Sequence, residues 1–552
     1  MNGINTDLNL VDYFIEKCEK EKIISEVFDF FSFDCIERCN VNPNEIDAEI
    51  REFEQSGYSD RERLAKIIGI IKSGKDVSKR KEEALLLRLK DYISEHLTAD
   101  ITVEDMASEL YISYYYMCHL FKSKTGFSVS TYRNRKRIEK AIKLLVNTDK
   151  KIADIAIECG FNTISYFTEN FTKFAGTSPT SFRGSANGVF MHDFYELEDM
   201  ITAAKMQSIR FLSEDIADIE TSVFERTHVN LPDNKFGFLH EAAIVEFKGV
   251  LYASWYNCPK NELQGYTPIC GKRSYDGGKT WSDMEILADD KSGKILYCPP
   301  VYGVCDGHLY LLMNQMVGPD KIHSMDLYIL NEETEKFEFL WSRPIPFKLN
   351  TNVVLLPNGK LLLPGRTGEL DGFPSTPAVL ISDSGKIDAE WRLIKVAPNG
   401  DLLGGKKLVH PEMTVVLAED KLFLFNRNDQ SRIPLAYISE DFGESWSQAV
   451  THDIPYVSSK IYGGELADGR HYLICNTDRF NRSKMVVYFT DGEEVLFTKR
   501  LVLFDEPDGY AWGGCHYPGA HEADGKLYVI ATIGYEGKTR GADLFTVDLK
   551  KI

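Results

Sequence analysis

A run of positively charged side chains between Tyr132 and Ala141 could neutralise the phosphates of a nucleic acid. The run holds five cations in nine residues. The whole chain carries a formal net charge of −19, whereas residues 84–184 contain 14 Lys/Arg against 11 Asp/Glu, a local excess of three positive charges. Because phosphates repel the rest of the chain, any nucleic-acid contact is expected in this basic region.

Composition narrows the class of protein further. A chain of 552 residues is too long for one hydrophobic core, and 27 Tyr and 32 Phe are typical of abundant β-structure. No stretch approaches the roughly 20 apolar residues of a membrane span, and no secretory signal is evident. The 11 scattered Cys show no metal-site spacing. We therefore expect a cytoplasmic protein with free thiols, no metal, no cofactor and no membrane partner.

The basic run lies between two segments whose patterns predict helix, tight turn, helix. In the first, Ser113 caps a helix that Gly126 ends. In the second, a short helix is followed by another from about Ile164 to Phe174. Two helix-turn-helix motifs joined by a basic helix are therefore predicted.

This stretch resembles the DNA-binding domains of the AraC/XylS family over residues 84–184. The matching residues, in order, are 110–113, 120–122, 126, 137–138, 141, 144–145, 152–156, 160–161, 165–167, 171, 176, 178–179 and 182–183. The resemblance implies two recognition helices lying in successive major grooves of double-stranded DNA. Arg137 is expected to brace the domain internally.

The resemblance also implies which side chains contact DNA. Candidates for base edges are Tyr114, Tyr115, Cys118 and His119 from the first motif, and Ser165 and Glu169 from the second. Candidates for phosphates are Lys122, Lys124, Arg133, Lys136 and Lys173. Glu169 departs from the family, which commonly has a basic residue there; a carboxylate repels phosphate but can accept a hydrogen bond from cytosine.

From about residue 205 the sequence changes to short apolar runs separated by turn residues. Six segments share one hairpin pattern, with an apolar run on each side of a turn containing Gly or Asp. They are 248–252, 306–310, 358–362, 419–423, 468–472 and 524–528. This repeat predicts six blades of about four strands, forming a β-propeller. A strand from within residues 205–235 should close the ring beside the C-terminal strand, since unpaired edges are costly.

Two turns share the pattern Ser-x-Asp-x-Gly-x-(Ser/Thr)-Trp. The residues are Ser274, Asp276, Gly278 and Trp281, then Ser439, Asp441, Gly443 and Trp446. Ser and Asp are expected to bond turn amides, Gly to allow positive φ, and Trp to pack between blades. The pattern resembles the Asp-box of sialidase-like (BNR-repeat) propellers, which indicates a fold and no activity.

The resemblance to sialidase-like proteins covers about 340 residues and implies a central pocket. True sialidases use three carboxylate-binding Arg, a Tyr nucleophile paired with Glu, and an acid Asp. The candidates here are Arg366, Glu412, Arg427 and Tyr517. Where the first Arg is expected the chain has Leu239-His240-Glu241, which argues against sialidase activity. Other carbohydrate chemistry stays open through His240, Glu241, His410, His516 and His521.

The fold class expected is multidomain, α plus all-β. Its parts are a helical region at 1–80, an AraC-type double helix-turn-helix domain at 84–184, a helical connector at 185–204 and a six-bladed propeller at 205–552. Residues 1–80 suit either dimerisation or bracing of the DNA-binding domain.

The function expected is a transcription regulator that binds double-stranded DNA and responds to a carbohydrate in its propeller. The alternatives are an intracellular glycoside hydrolase or lyase with a regulatory domain, and a propeller that only binds a partner. RNA polymerase and a second copy of the chain are further candidate partners.

Overall fold

The computed structural model describes residues 77–186, 195–318, 321–367, 375–397, 408, 410–429, 431, 433–455, 459–477, 482–506, 514–535 and 539–552. The chain divides into two compact units, one ending at Pro179 and one beginning at Thr180. Residues 1–76 of the expected N-terminal region and 187–194 of the expected connector lie outside the described residues. The finer domain boundaries stay predictions.

The described part of the first unit, residues 77–179, contains helices and no strands. Its helices are α1 Val77–Glu95, α2 Val103–Glu109, α3 Tyr114–Thr125, α4 Val129–Asn147, α5 Ile152–Glu158 and α6 Ile164–Ala175. Two short helices follow along the chain, α7 Pro179–Ser185 and α8 Leu197–Ala203.

The pairs α2–α3 and α5–α6 are built alike, each with a seven-residue helix, a tight turn and a twelve-residue helix. The side chains of Ser113 and Thr163 each accept a hydrogen bond of 3.2 Å from the backbone of the helix they precede. Gly126 and Gly176 end these helices with φ of 77° and 73°, a conformation that favours glycine. The predicted double helix-turn-helix is confirmed.

Helix α4 connects the two motifs and buries Ile138 and Ala141 completely. Arg137 on the same helix donates to the backbone carbonyls of Leu97 (Nε, 2.7 Å) and Ala99 (Nη2, 3.2 Å). Arg137 therefore ties α4 to the segment between α1 and α2, as an internal brace does.

The second unit contains six sheets of four or five strands. Blade 1 holds β4 Phe238–Phe247, β5 Val250–Cys258, β6 Ile269–Ser274 and β7 Glu285–Ala288. Blade 2 holds β8 Leu296–Cys305, β9 His308–Met316, β10 Ile322–Asn331 and β11 Lys336–Arg343. Blade 3 holds β12 Phe347–Leu349, β13 Val354–Leu355, β14 Leu361–Thr367, β15 Pro377–Ser382 and β16 Arg392–Lys395.

The remaining blades include three strands from the start of the unit. Blade 4 holds β17 Met413–Ala418, β18 Lys421–Asn426, β19 Leu435–Ser439, β20 Val450–His452 and β1 Ser208–Ile209. Blade 5 holds β21 Tyr462–Glu465, β22 His471–Asn476, β23 Lys484–Thr490, β24 Phe497–Asp505 and β2 Leu212–Ile219. Blade 6 holds β25 Cys515–Ala523, β26 Lys526–Tyr535, β27 Thr539–Asp548 and β3 Phe224–Asn230.

Each of the six predicted hairpin turns joins the first strand of a blade to the second, where β12 and β13 of blade 3, which both pair with β14, together form its first strand. Gly249 and Gly525, in the turns of blades 1 and 6, have φ of 84° and 72°. Among the described residues, one apolar cluster fills each of the six seams between neighbouring blades. The predicted six-bladed propeller is confirmed.

Residues 208–230, called here the rim segment, cross the outer edges of three blades. β1 pairs in parallel with β20, β2 pairs in parallel with β24, and β3 pairs antiparallel with β27. The prediction of a closing strand from within residues 205–235 is confirmed by β3. The two parallel additions were not predicted.

The rim segment is anchored where β1 gives way to β2. Backbone amides of Phe211 and Leu212 donate to the Asp453 carboxylate at 2.8 and 3.2 Å. The buried ring of Phe211 packs against Phe425 of blade 4, with ring centroids 4.9 Å apart. A side chain of the rim is thus fixed inside the seam between blades 4 and 5.

The two Asp-box turns make the contacts expected of them. Ser274 Oγ accepts from Gly278 N at 2.8 Å, and Ser439 Oγ accepts from Gly443 N at the same distance. Hydrogen bonds from Thr280, with further help from Ser274 and Lys279, lower the pKa of Asp276 to about 2.

Gly278 also sets how blade 1 meets blade 6. Its φ is +88°, and a Cβ there would collide with Leu544 of β27. Trp281 packs against the apolar cluster between blades 6 and 1, and Trp446 packs against the cluster between blades 3 and 4.

The ring is closed by a buried carboxylate as well as by the β3–β27 ladder. Asp543 is completely buried and accepts hydrogen bonds from Arg226 Nε at 2.8 Å and from Tyr535 OH at 2.7 Å. His228 Nδ1 lies 2.8 Å from Oδ1 of Asp543, the oxygen that Tyr535 also contacts. Asp543 therefore joins the rim segment to the last strands of the chain.

Replacing Asp543 with Ala should lower the free energy of unfolding of the propeller by about 3 kcal/mol. This value is at the lower end of the cost of breaking a buried ion pair, because Arg226 keeps Glu506 as a partner. Chemical denaturation followed by tryptophan fluorescence measures the loss. Asp505→Ala, which breaks an exposed pair with Lys484, is the control and should cost less than about 1 kcal/mol. Equal losses in the two variants would contradict the role given to Asp543.

Candidate functional site

The two longer helices of the helix-turn-helix motifs expose most of the side chains predicted to read bases. Tyr115, with 84% of its surface exposed, and His119 lie on α3. Ser165 and Glu169 are exposed on α6, as is Lys173 in its last turn. Tyr114 and Lys122 are exposed, whereas Cys118 is half-buried.

Some of the cations predicted to contact phosphate already have partners within the domain. Arg133 Nη1 donates to the carbonyl of Ile101 at 2.5 Å. Lys136 Nζ lies 2.8 Å from Glu139 Oε2, and Lys124 Nζ lies 2.8 Å from Glu82 Oε2. A phosphate would have to compete with these contacts, so their role on DNA stays a prediction.

Asn134 connects α4 to α6, and the sequence analysis did not single it out. Its buried amide donates to Tyr166 OH at 2.8 Å and to Asn170 Oδ1 at 3.1 Å. A lone Asn in a run of cations gives no signal of such a link, which depends on how two helices cross.

One end of the propeller brings together seven side chains from blades 1, 3, 4 and 6, called here the axial cluster. They are His240, Glu241, Arg366, Glu412, Arg427, His516 and Tyr517, and all seven are buried. His410, predicted with them, is about half exposed and lies 3.2 Å from Asp429. Arg366 and Arg427 lie near the end of the second strand of their blades. The other members of the axial cluster lie at or near the start of the first strand of theirs.

Bulges in the first strands explain why consecutive residues share the site. The pairing of β4 shifts between His240 and Ala243, and that of β25 shifts between His516 and Gly519. Glu241 and Tyr517 have φ of 49° and 53°, a strained conformation for residues other than glycine. Because a bulge interrupts the alternation of side chains, both members of each pair are buried.

The centre of the axial cluster is a triangle of charged and phenolic groups. Arg427 Nη1 lies 2.5 Å from Glu412 Oε2 and 2.7 Å from Tyr517 OH. Tyr517 OH donates to Glu412 Oε1 at 3.1 Å. Asp429 pairs with the other edge of Arg427 at 2.7 and 2.8 Å. This geometry holds the phenol and the carboxylate side by side.

Charges around this triangle set its protonation states. Burial alone would raise the pKa of Glu412, but the surrounding cations, Arg427 and Arg366 foremost, outweigh it and lower the pKa to about 2. Burial raises the pKa of Tyr517 far above its usual value, with Glu412 adding to the effect of burial. At neutral pH the carboxylate is charged and the phenol is neutral.

Glu241 forms a second buried ion pair beside the triangle. Lys460, which precedes β21, lies 3.1 Å from Glu241 Oε2, and Cys298 Sγ lies 3.5 Å from Oε1. Lys460 also lies 5.9 Å from the ring centroid of Tyr517. With these residues every blade contributes a side chain to the site.

Four cations near the axial cluster escaped the sequence analysis: Lys348, Lys460, Arg482 and Arg540. The sequence does contain a signal for Arg482. Arg366, Arg427 and Arg482 each lie near the end of, or shortly after, the second strand of their blades 3, 4 and 5. The other three have no such repeat.

The site therefore combines an excess of cations with aromatic rings and imidazoles. Such an arrangement can hold a hydroxyl-rich or anionic small molecule. Among the residues that the structure describes, no three His, Cys, Asp or Glu side chains are grouped as a metal site requires. Within that same part of the chain, no helix is long and apolar enough to cross a membrane.

Comparisons with known proteins match the two parts of the chain separately. The helix-turn-helix domain family matches residues 106–185, and the BNR repeat-like domain family matches residues 249–529. The regulatory protein PocR of Salmonella typhimurium is 38% identical over 96 residues, 17% of this chain and 32% of PocR. The arabinose operon regulatory protein of Escherichia coli is 36% identical over 93 residues, 17% of this chain and 32% of the relative.

Two solved structures are similar to the propeller at low identity. Trypanosoma rangeli sialidase in complex with 2,3-difluorosialic acid is 15% identical with a TM-score of 0.48, covering 61% of this chain and 60% of that one. A protein of unknown function from Dyadobacter fermentans is 15% identical with a TM-score of 0.47, covering 59% of this chain and 99% of that one. The chain spans about a third of the length of the curated relatives it matches.

Fold and site together define a β-propeller protein that carries an AraC-type helix-turn-helix domain. The BNR match covers half of the sequence, and the chain belongs to the BNR repeat-like domain family.

The axial histidines predict how stability depends on pH. Burial, reinforced by Arg540 and other nearby cations, holds the pKa of His240 and of His516 well below the usual value. Below about pH 6.5 the unfolded chain takes up protons that these histidines do not, so stability falls as pH falls.

As the pH falls from about 7 to about 5.5, each histidine should lower the free energy of unfolding by about 1 kcal/mol. Urea denaturation of His516→Phe should therefore show a smaller loss over this interval than the unsubstituted chain does. His308→Gln, which changes an exposed side chain, is the control. An equal loss in all three proteins would show that His516 is protonated in the folded state.

Proposed function

We propose that this chain is a sequence-specific DNA-binding regulator of transcription. The observation that carries the proposal is the pair of similar helices, α3 and α6, each of which presents exposed side chains after a capped start. Side chains at the start of such helices reach base edges in the major groove, and cations neutralise phosphates. Double-stranded DNA is the proposed partner, with RNA polymerase and a second copy of the chain as further partners.

Support also comes from the relatives, whose names describe regulatory proteins, one of them of the arabinose operon. Each of them matches 17% of this chain, over 96 and 93 residues. The basic excess of residues 84–184 in a chain of net charge −19 agrees with this assignment, because that segment is where phosphate attraction is strongest.

The Glu169→Arg variant tests whether α6 lies on DNA. Replacing the exposed carboxylate with a cation should tighten non-specific binding and make the slope of log K against log salt steeper by about 1. Fluorescence anisotropy with a labelled duplex at several salt concentrations measures both effects. Glu333→Arg makes the same charge change on an exposed turn of the propeller and is the control. A slope that changes equally in both variants would place Glu169 away from DNA.

The second part of the proposal is that a carbohydrate bound at the axial cluster changes DNA binding. Buried ion pairs, imidazoles and a phenol at one end of a propeller are typical of a polar small-molecule site. The rim segment offers a route for the response. It ends in β3, and its Phe211 packs on Phe425, two residues before Arg427.

Arg427→Gln tests this response. The variant should lose any change in DNA affinity that a sugar produces, because Glu412 and Tyr517 lose the partner that orients them. Gel shifts with the upstream region of the gene, with and without a panel of sugars, measure the effect. Arg392→Gln removes a half-exposed guanidinium paired with Asp383 and Glu444 and should respond like the unsubstituted chain. A sugar response that survives Arg427→Gln would place the sugar site elsewhere.

A carbohydrate-active enzyme is the second candidate. The observation in its favour is the contact of Tyr517 OH with Glu412 at 3.1 Å, since a carboxylate can take the proton of an attacking phenol. Incubation with aryl glycosides and sialyl-lactose separates the two candidates. Turnover that Tyr517→Phe abolishes would favour the enzyme, and an inert panel would favour the sensor.

A further inference from the structure

We propose that Arg540 and His516 form an oxyanion-binding subsite at the seam between blades 6 and 1, beside the triangle of Arg427, Glu412 and Tyr517. Arg540 is the second residue of β27, and His516 lies on β25, near His240 of β4. The inference rests on the proposed sensor function and narrows its ligand to a molecule bearing a carboxylate, sulfate or phosphate group.

Arg540 is a buried cation that no anionic side chain contacts among the residues the structure describes. Only 7% of its surface is exposed, and its guanidinium lies over the ring of Phe238, 4.5 Å from the centroid. None of the described residues gives this guanidinium an ion pair, and Glu262 acts on it only at longer range. Burying an unpaired charge is strongly unfavourable, which makes an anionic ligand the natural partner.

His516 supplies a second donor whose direction is set by Arg482. Arg482 Nη1 lies 2.9 Å from His516 Nδ1. A guanidinium can only donate, so Nδ1 must accept and the proton of the neutral ring is on Nε2. The Nε2 atom is buried and has no acceptor among the described residues.

The two donors require the same kind of ligand atom. An N–H of imidazole and an N–H of guanidinium both need an oxygen acceptor, and the buried positive charge selects a negative one. The Phe238 ring beneath Arg540 lies 5.8 Å from the ring of His240, which lies 5.2 Å from the ring of His516, so the two donors share one neighbourhood. The donor atoms differ from the Arg427–Glu412 pair, which satisfies its own charges.

The subsite can be tested with sulfate as the probe, on the full chain. Sodium sulfate should raise the melting temperature of the propeller saturably, compared with sodium chloride at equal ionic strength. Arg540→Met, which keeps the stem against Phe238, and His516→Phe should each weaken the apparent affinity at least tenfold. Arg540→Lys and His516→Gln keep a donor and should retain part of the sulfate affinity. The control Arg392→Gln should retain all of it.

Two results would overturn the subsite. A sulfate effect that does not saturate is general exclusion of the salt from the protein surface. A saturable effect that is equal in Arg540→Met and the unsubstituted chain is binding elsewhere.

Matched sugars distinguish a charged sugar from a free inorganic oxyanion. Calorimetry compares glucose with glucuronate and glucose 6-phosphate, and galactose with galactose 6-sulfate. A charged sugar that binds at least tenfold more tightly than its neutral parent, and only with Arg540 present, supports the proposal. A neutral parent that binds equally well overturns it and leaves the sensor function standing. Saturable sulfate binding without any sugar binding supports the subsite and removes the sugar from the proposed function.

Discussion

Closure of the ring is the constraint on which the rest of the propeller depends. The axial cluster takes side chains from blades 1, 3, 4 and 6, and Cys298 and Lys460 beside it come from blades 2 and 5, so its distances exist only when blade 6 meets blade 1. That meeting is made by β3 on β27, by Asp543 between them, and by Gly278 against Leu544. If the ring failed to close, the hairpins would still form, because contacts within a blade join residues close in sequence. The site would be lost, because its contacts join residues far apart in sequence.

The rim segment makes closure depend on the start of the propeller unit. One stretch of 23 residues, 208–230, adds strands to blades 4, 5 and 6 in turn. Parallel pairing requires a long connection between the paired strands, which suits a segment whose partners lie over 200 residues away. The segment that follows the helical part of the chain is thereby bound to the same blades that supply Glu412, Arg427, His516 and Tyr517.

Local patterns in the sequence were sufficient for the architecture. Caps such as Ser113, hairpin turns such as Asp524-Gly525 and the Asp-boxes act within a few residues, and each appears where it was predicted. Glu412, Arg427 and Tyr517 were predicted from resemblance, and they meet in the structure. Lys460, Arg540 and Asn134 were missed because their partners come from other blades or helices, and no local pattern encodes how those pack.

The presence of consecutive residues in the site has a physical reason that concerns the strands themselves. Regular alternation would turn one of His516 and Tyr517 away from the axis, as it would one of His240 and Glu241. The bulges and the left-handed φ of Glu241 and Tyr517 cost about 1–3 kcal/mol each, and they persist because buried ion pairs and packing fix these side chains. Strain at Glu241 and Tyr517, in two blades that adjoin at the closing seam, is typical of a functional site and is what the proposed ligand site would require. Arg540, to which no described residue gives an ion pair, is buried at the same seam.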